Sequence, residues 1–181
     1  MPNRPPTAPA AVLITGTVGS GKTTTAWAVA DLLRHDRVPH AVIDVDALRS
    51  AWPSPDGDPF HLELALTNLR DVARHHRAAG AERLVLADVL EDPSVRARYE
   101  EALGVPLTVC RLRVDLTTVA ARLHRRHADD PAGLDWHLRR SGELDGILDA
   151  AGIGDVVVPV APGDTAADVA RAVVRALGWA P

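Results

Sequence analysis

The stretch Gly16-Thr17-Val18-Gly19-Ser20-Gly21-Lys22-Thr23 constrains this chain more than any other, because it matches G-x-x-x-x-G-K-[ST] in full. Each residue type has a physical reason to stand there. Glycines let the backbone curl so that successive N–H groups point inward, a concavity suited to phosphate oxygens. Lys22 brings a mobile positive charge for terminal phosphates, and the Thr23 hydroxyl is placed to ligate Mg²⁺. A helix starting at this point adds the positive end of its dipole. The flanks meet the structural condition. Residues 11–15 form an apolar run suited to a buried parallel strand, and Ala26, Val29, Ala30 and Leu33 recur at helical spacing to about Arg34. Strand, loop and helix thus fall in the order a nucleoside triphosphate site requires. Its expected contacts are Gly16, Thr17, Val18, Gly19, Ser20, Gly21, Lys22, Thr23 and Thr24.

Lys22 is also the sole lysine, every other cationic side chain being arginine. In a chain rich in Ala, Arg and Pro this suggests that arginine replaced lysine wherever it would serve. A compact ammonium against phosphates is not interchangeable with a planar guanidinium. A net charge of −4 argues against a nucleic-acid or anionic-membrane partner. No stretch approaches the roughly 20 apolar residues that span a bilayer. Cys110 stands alone, so no disulfide framework exists, and its apolar surroundings point to a buried, inert thiol. Residues 1–10 hold several prolines and lack the apolar core of a secretion signal, so a disordered tail is expected. Together these place the chain in a reducing, cytoplasmic setting, as one domain over residues 11–181.

The rest of the chain alternates. A second strand is expected over residues 40–46, a Pro- and Gly-rich loop over 51–59, and a helix presenting Leu62, Leu66, Leu69 and Ala73 up to Gly80. Residues 84–90 read as a third buried strand, and Pro93 opens a helix to about Leu103. A fourth strand covers 107–114, after which Asp115 can cap the next helix. A polar turn at 128–133, a helix carrying Trp136 and Leu144, a fifth strand at 155–160 and a last helix with Val169, Val173 and Leu177 complete the chain. This alternation implies a three-layer α/β fold, with five parallel strands between helices. Ligands in such sheets gather beyond the carboxyl ends of the strands. That rule selects Gly16, Asp46, Asp88 and Asp115.

Transfer of a phosphoryl group to a hydroxyl profits from a carboxylate that orients the acceptor and takes its proton. Asp46 is the candidate for that role, although it could instead cap the helix that follows it. Asp44 lies on the same side of the strand by alternation. Asp88 sits where an acidic group can reach Mg²⁺ through water, or can hydrogen-bond the phosphate loop. Arg122, Arg125 and Arg126 share a helical face, with Arg139 and Arg140 beyond, and guanidinium groups suit the charge that develops on a moving phosphoryl. Arg122 and Arg126 are the candidates, against the alternative of a solvated face. Aromatics make up only 3% of the chain. Trp52 and Phe60 stand in the loop after Asp46 and Trp136 follows the expected lid, and these rings could wall an acceptor pocket, with Arg49 near the first two, whereas Trp27 and Trp179 read as packing residues. The histidines show no metal-ligand spacing.

These stretches (residues 16–23, 44–49, 84–88 and 122–126) resemble the small P-loop kinases. Within these the chain is similar to adenylylsulfate kinase, gluconate kinase and chloramphenicol phosphotransferase. The resemblance implies a five-stranded parallel core, a helical lid over roughly residues 122–142, and ATP with Mg²⁺ as cofactors. The Val45-Asp46-x-Leu48 segment is similar to the one that holds the catalytic base of chloramphenicol phosphotransferase, which maps that role onto Asp46. Ala47 stands where adenylylsulfate kinases carry Asn, and residues 89–93 replace their Phe-Ile-Ser-Pro segment, which argues against adenylylsulfate as substrate. The expectation is a kinase acting on a hydroxyl of a small metabolite or antibiotic-like molecule, as a monomer or homodimer. A nucleoside monophosphate kinase, a nucleotide-dependent switch and a polynucleotide kinase are the alternatives. A GTPase reading N-K-x-D is ruled out because the sole lysine is already used.

Overall fold

The computed structural model describes residues 10–54, 56–58 and 60–179. The expected tail lies outside the described residues, apart from Ala10, which begins the first strand. Five strands, β1 (Ala10–Thr15), β2 (His40–Asp44), β3 (Arg83–Ala87), β4 (Leu107–Val114) and β5 (Val156–Val160), form one parallel sheet in the order β2-β3-β1-β4-β5. Seven helices connect and cover them among the described residues: α1 (Lys22–His35), α2 (Val45–Leu48), α3 (Leu62–Ala78), α4 (Arg96–Leu103), α5 (Leu116–Arg126), α6 (Pro131–Ala150) and α7 (Ala166–Ala176).

The central strand explains the layering. Successive side chains of a strand point to opposite faces. Ala11 and Leu13 of β1 pack with Leu84 and Leu86 of β3 against α3 and α4, through Leu69, Ala73, Tyr99 and Leu103. Val12 and Ile14 face the other way, onto α1, α5 and α7, through Val29, Leu33, Leu123 and Val173. A strand covered on both faces must be apolar throughout, which is why residues 11–14 carry no polar side chain. Because the chain leaves β1 toward β2, beyond β3, on one side while β4 flanks β1 on the other, a crevice opens at its carboxyl end, where the phosphate loop lies.

Several boundaries shift from the expected ones. The second strand ends at Asp44, not Asp46, because the Asp44 side chain accepts a hydrogen bond from the Asp46 amide and caps α2. The third strand stops at Ala87. The expected polar turn at 128–133 contains the start of α6, where Asp130 accepts from the Gly133 amide and Pro131 fills the first helical position. Asp115 caps α5 as expected, accepting from the Thr118 amide at 2.8 Å. Trp27 is not a packing residue: it stands 55% exposed on the outer side of α1, whereas Trp179 packs on the core beside the Arg83 guanidinium. The far end of α6 is fixed by buried Arg111 of β4, which donates to Asp145 and Asp149. No helix among the described residues is long and apolar enough to cross a membrane.

Candidate active site

The loop between β1 and α1 takes the backbone shape that its glycines permit. Gly16 has φ 149°, and a Cβ there would stand 2.8 Å from the Leu112 carbonyl oxygen, so no side chain fits. Gly19 has φ 79°, in the left-handed region, with Leu123 of α5 packed over it. Gly21 precedes α1 with no side chain capping the helix, which leaves the first amides directed into the loop. Lys22 folds back over this concavity, its ammonium donating to the Gly16 and Thr17 carbonyls at 3.2 Å each. Burial pulls the Lys22 pKa below its ordinary value, opposed by the carboxylates of Asp46, Asp88 and Asp44. The buried Ser20 hydroxyl has no partner. A donor-rich hollow with an orphaned hydroxyl is what a chain of phosphates would complete.

The Thr23 hydroxyl donates to Asp44 Oδ2 at 3.2 Å, so one β2 carboxylate does two jobs, capping α2 with Oδ1 and meeting Thr23 with Oδ2. Asp46, one residue into α2, projects an exposed carboxylate into the cleft, 3.5 Å from Arg49 Nε. Among the described residues no group of three or more His, Cys, Asp or Glu could enclose a metal ion. A hydroxyl beside a single carboxylate fits a cation that keeps several waters and takes phosphate oxygens as its other ligands, which is how Mg²⁺ binds.

Asp88 sits deeper. It is 1% exposed, and Arg49 Nη2 donates to its Oδ2 at 2.5 Å, Tyr99 donates to the same oxygen at 2.5 Å, and the Val89 amide donates to Oδ1 at 2.7 Å. Burial raises the Asp88 pKa, and Arg49 and Tyr99 restrain that rise. Burial, with the neighbouring Asp88 charge, also pushes the Tyr99 hydroxyl pKa far up, so it keeps its proton and donates a hydrogen bond at all ordinary pH. Asp88 therefore faces Arg49 and Tyr99 directly, with no contact to Thr23.

One cleft of about 1110 Å³ gathers these groups. On the loop side it holds Lys22, Thr23, Arg122 and Arg126, with Arg122 donating to the Ser20 carbonyl at 3.0 Å. Thr24 lines the same cleft, as do Val18, Gly19 and Gly21. Arg125 stands exposed outside it, as does Arg139, which pairs with Asp135. Further from the loop come Arg49, Phe60, Asp88, Glu91, Tyr99 and Arg140. Trp52, expected in an acceptor pocket, is 92% exposed and does not line the cleft. Helix α6 forms one wall through Trp136, His137, Arg140 and Leu144, and the buried Thr17 hydroxyl donates to the Ser141 carbonyl at 2.5 Å, joining this wall to the phosphate loop. A smaller hollow of about 230 Å³ lies behind the loop, between Thr24, Arg122, Val160 and Asp164.

Sequence reasoning missed Tyr99 and Glu91. Tyr99 sits among core positions of α4 and carries no motif; the signal that could have found it is a lone tyrosine hydroxyl that, once buried, must find a partner. Glu91 lies in an irregular loop, and its only mark is the contact with Arg140, 49 residues away.

Residues 2–59 match the family model described as Zeta toxin. A search of curated protein sequences returned no significant match. Among solved structures, the tunicamycin resistance protein of Deinococcus radiodurans matches with a TM-score of 0.65 and 22% identity, covering 95% of this chain and 96% of that one. A gluconokinase from Sinorhizobium meliloti gives a TM-score of 0.62 at 22% identity, over 94% and 93% of the two chains. An APS kinase from Mycobacterium tuberculosis, in complex with AMPPNP and APS, gives 0.61 at 23% identity, over 96% and 99%. At these identities the likeness is one of fold, and it extends over nearly the whole of each chain. The chain has the fold of the small P-loop kinases.

Proposed function

We propose that this chain is a phosphotransferase that moves the γ-phosphoryl group of MgATP to a hydroxyl of a small molecule. The observation that carries the reading is the single cleft in which the phosphate loop opens directly onto a chamber with a carboxylate, Asp46, at the boundary. A nucleotide switch has no need of such a chamber. The APS kinase neighbour was solved with two ligands, AMPPNP and APS, on this fold.

Each residue has a role in this reading. The loop amides from Gly16 to Thr24 and the Lys22 ammonium hold the β- and γ-phosphates. Thr23 and Asp44 are the groups that would hold Mg²⁺, which when bound offsets phosphate charge; the contacts of Asp88 make it the poorer candidate. Asp46 accepts a hydrogen bond from the acceptor hydroxyl, orients its oxygen toward the phosphorus and takes the proton as the bond forms. Arg122 and Arg126 stabilise charge on the transferred group, and residues 122–142 act as the lid that excludes water. Arg49 and Phe60 belong to the acceptor chamber. The smaller hollow behind the loop receives the nucleoside end of the nucleotide. The acceptor is a small molecule, not a nucleic acid or membrane, in keeping with the net charge of −4. The reaction takes place in the cytoplasm, by a monomer or homodimer.

The test is ADP release from MgATP, with and without pooled sugar acids, nucleosides, nucleoside monophosphates and hydroxylated antibiotics. One pool should stimulate turnover, and Lys22→Ala should abolish it. Asp46→Asn should lower kcat by about 10²–10⁴-fold, the usual range for a lost general base, with nucleotide affinity retained. Unstimulated hydrolysis indifferent to Asp46→Asn would instead support a switch, and stimulation confined to nucleoside monophosphates would support a monophosphate kinase.

A further inference from the structure

Beyond Asp46 the cleft contains two guanidinium groups, Arg49 and Arg140, and carboxylates of the same cleft already engage both. Arg49 donates to Asp88 at 2.5 Å and to the Phe60 carbonyl at 3.2 Å. Arg140 Nη2 donates to Glu91 Oε1 at 2.5 Å, and its Nη1 lies 3.4 Å from Glu143 Oε2. Both arginine side chains are largely buried, and drawing Arg49 toward a ligand would strand the buried Asp88 carboxylate without its counter-charge. Apart from Asp44, Lys22, Arg122 and Arg126, which lie around the phosphate loop, the cleft is lined by Asp46, Asp58, Asp88, Glu91 and Asp92 against Arg49 and Arg140, five carboxylates to two guanidiniums. Asp58 and Asp92 accept hydrogen bonds from backbone amides at the starts of helical segments and line the cavity.

Two rings stand over this acidic chamber. Phe60 carries Arg140 above it at 5.8 Å yet remains 62% exposed, and Trp136 across the cleft is 50% exposed. Rings left open inside a cavity are surface that a flat apolar group would cover.

We propose that the acceptor is an uncharged or cationic molecule with a flat apolar group beside its reactive hydroxyl, received by Phe60 and Trp136 and refused when that part carries a carboxylate or phosphate. The proposal rests on the phosphotransferase reading and extends it to the class of substrate. Refusal comes from placement: an anion entering here meets carboxylates whose arginines are already paired, and unpaired like charge is an effective means of rejection. Hydroxyl and amide groups, in contrast, can donate to Asp46 or Asp92, and an ammonium can pair with them.

The experiment compares three probes of similar size that share the ring and the hydroxymethyl group and differ in charge, the para-hydroxymethyl derivatives of benzamide, benzylamine and benzoate. Their binding to the full chain with MgAMPPNP is followed by ligand-observed NMR. The amide and the amine should bind at least about tenfold tighter than the benzoate, since one misplaced like charge is worth that factor or more. Glu91→Gln, which leaves Arg140 only the longer contact with Glu143, should narrow the gap by improving benzoate alone, and Phe60→Ala should weaken all three alike. Benzoate binding as tightly as the amide would overturn the charge preference, and failure of all three to bind would overturn the role of the rings. Nucleotide affinity and ADP release are read on the same preparation. Loss of either would defeat the phosphotransferase reading, while the order of the three probes would still decide the preference for charge.

Discussion

Replacing Tyr99 by Phe isolates one hydrogen bond in the wall of the cleft. The ring packs in the core and its shape is unchanged, so the perturbation is the loss of the donor at 2.5 Å from Asp88 Oδ2. A hydrogen bond to a charged group contributes about 1.5–3 kcal/mol, against about 0.5–1.5 kcal/mol for a neutral pair. Asp88 keeps Arg49 and the Val89 amide, so the lower half of the charged range applies, and a loss of about 2 kcal/mol is expected where Asp88 is ionised. For a chain of this size that lowers Tm by about 4–8 °C. The pH dependence follows from the sign of the shift. Burial raises the Asp88 pKa above its ordinary 3.8. The folded chain therefore holds this proton more tightly than the unfolded chain, and the contribution of Asp88 to stability declines as pH rises from 3.8 to the folded value. Tyr99 opposes that rise, so removing its hydroxyl extends the decline further. The deficit of the variant should be about 1 kcal/mol where Asp88 is protonated and about 2 kcal/mol where it is ionised. Urea denaturation over a pH series that starts near 3.8 and rises measures how the deficit changes as Asp88 ionises. A loss under about 0.5 kcal/mol at every pH, or one that does not change with pH, would refute the charged network.

Other expected outcomes are simpler to state. Gly16→Ala should weaken MgATP binding by more than about tenfold in calorimetry, because the new methyl would stand 2.8 Å from the Leu112 carbonyl oxygen at a φ that L residues rarely adopt. Cys110 is buried, and burial pushes its thiol pKa up to about 12, so a thiol reagent such as DTNB should react only after denaturation. Trp27→Ala should change stability by less than about 0.5 kcal/mol, since the ring is exposed on α1.

The strand, loop and helix around residues 11–34 were legible because each cause is local. The apolar run, the glycines and the helical period all lie within a few residues of what they determine, and the same holds for the Asp115 cap. Trp27 was misjudged although its phase was available. Ala26, Val29, Ala30 and Leu33 define the buried face of α1, and the residue after Ala26 is turned about 100° away from it, so the apolar character of the ring was the wrong guide. The end of β2 was harder. Two aspartates two residues apart both qualify as caps, and the choice of Asp44 depends on its extended backbone, φ −84° and ψ 107°, which no composition records.

The chamber beyond Asp46 was the least legible part, and the reason is the reach of its contacts. Arg49 meets Asp88 across 39 residues and Arg140 meets Glu91 across 49, so neither pair leaves a periodic mark. A sequence shows how many arginines follow the fourth strand but not which are already satisfied. Arg140 and Arg139 are neighbours on α6, yet one lies in the cleft paired with Glu91 and the other lies outside it on Asp135. For a phosphate-binding loop the residue types nearly determine the chemistry, because backbone amides do the binding. For an acceptor chamber the same types can attract an anion or repel it, and what decides is whether each guanidinium arrives with its carboxylate already in place. Catalytic machinery on this fold can therefore be anticipated from a short motif, whereas specificity has to be read from the pairing of side chains that only the folded chain brings together.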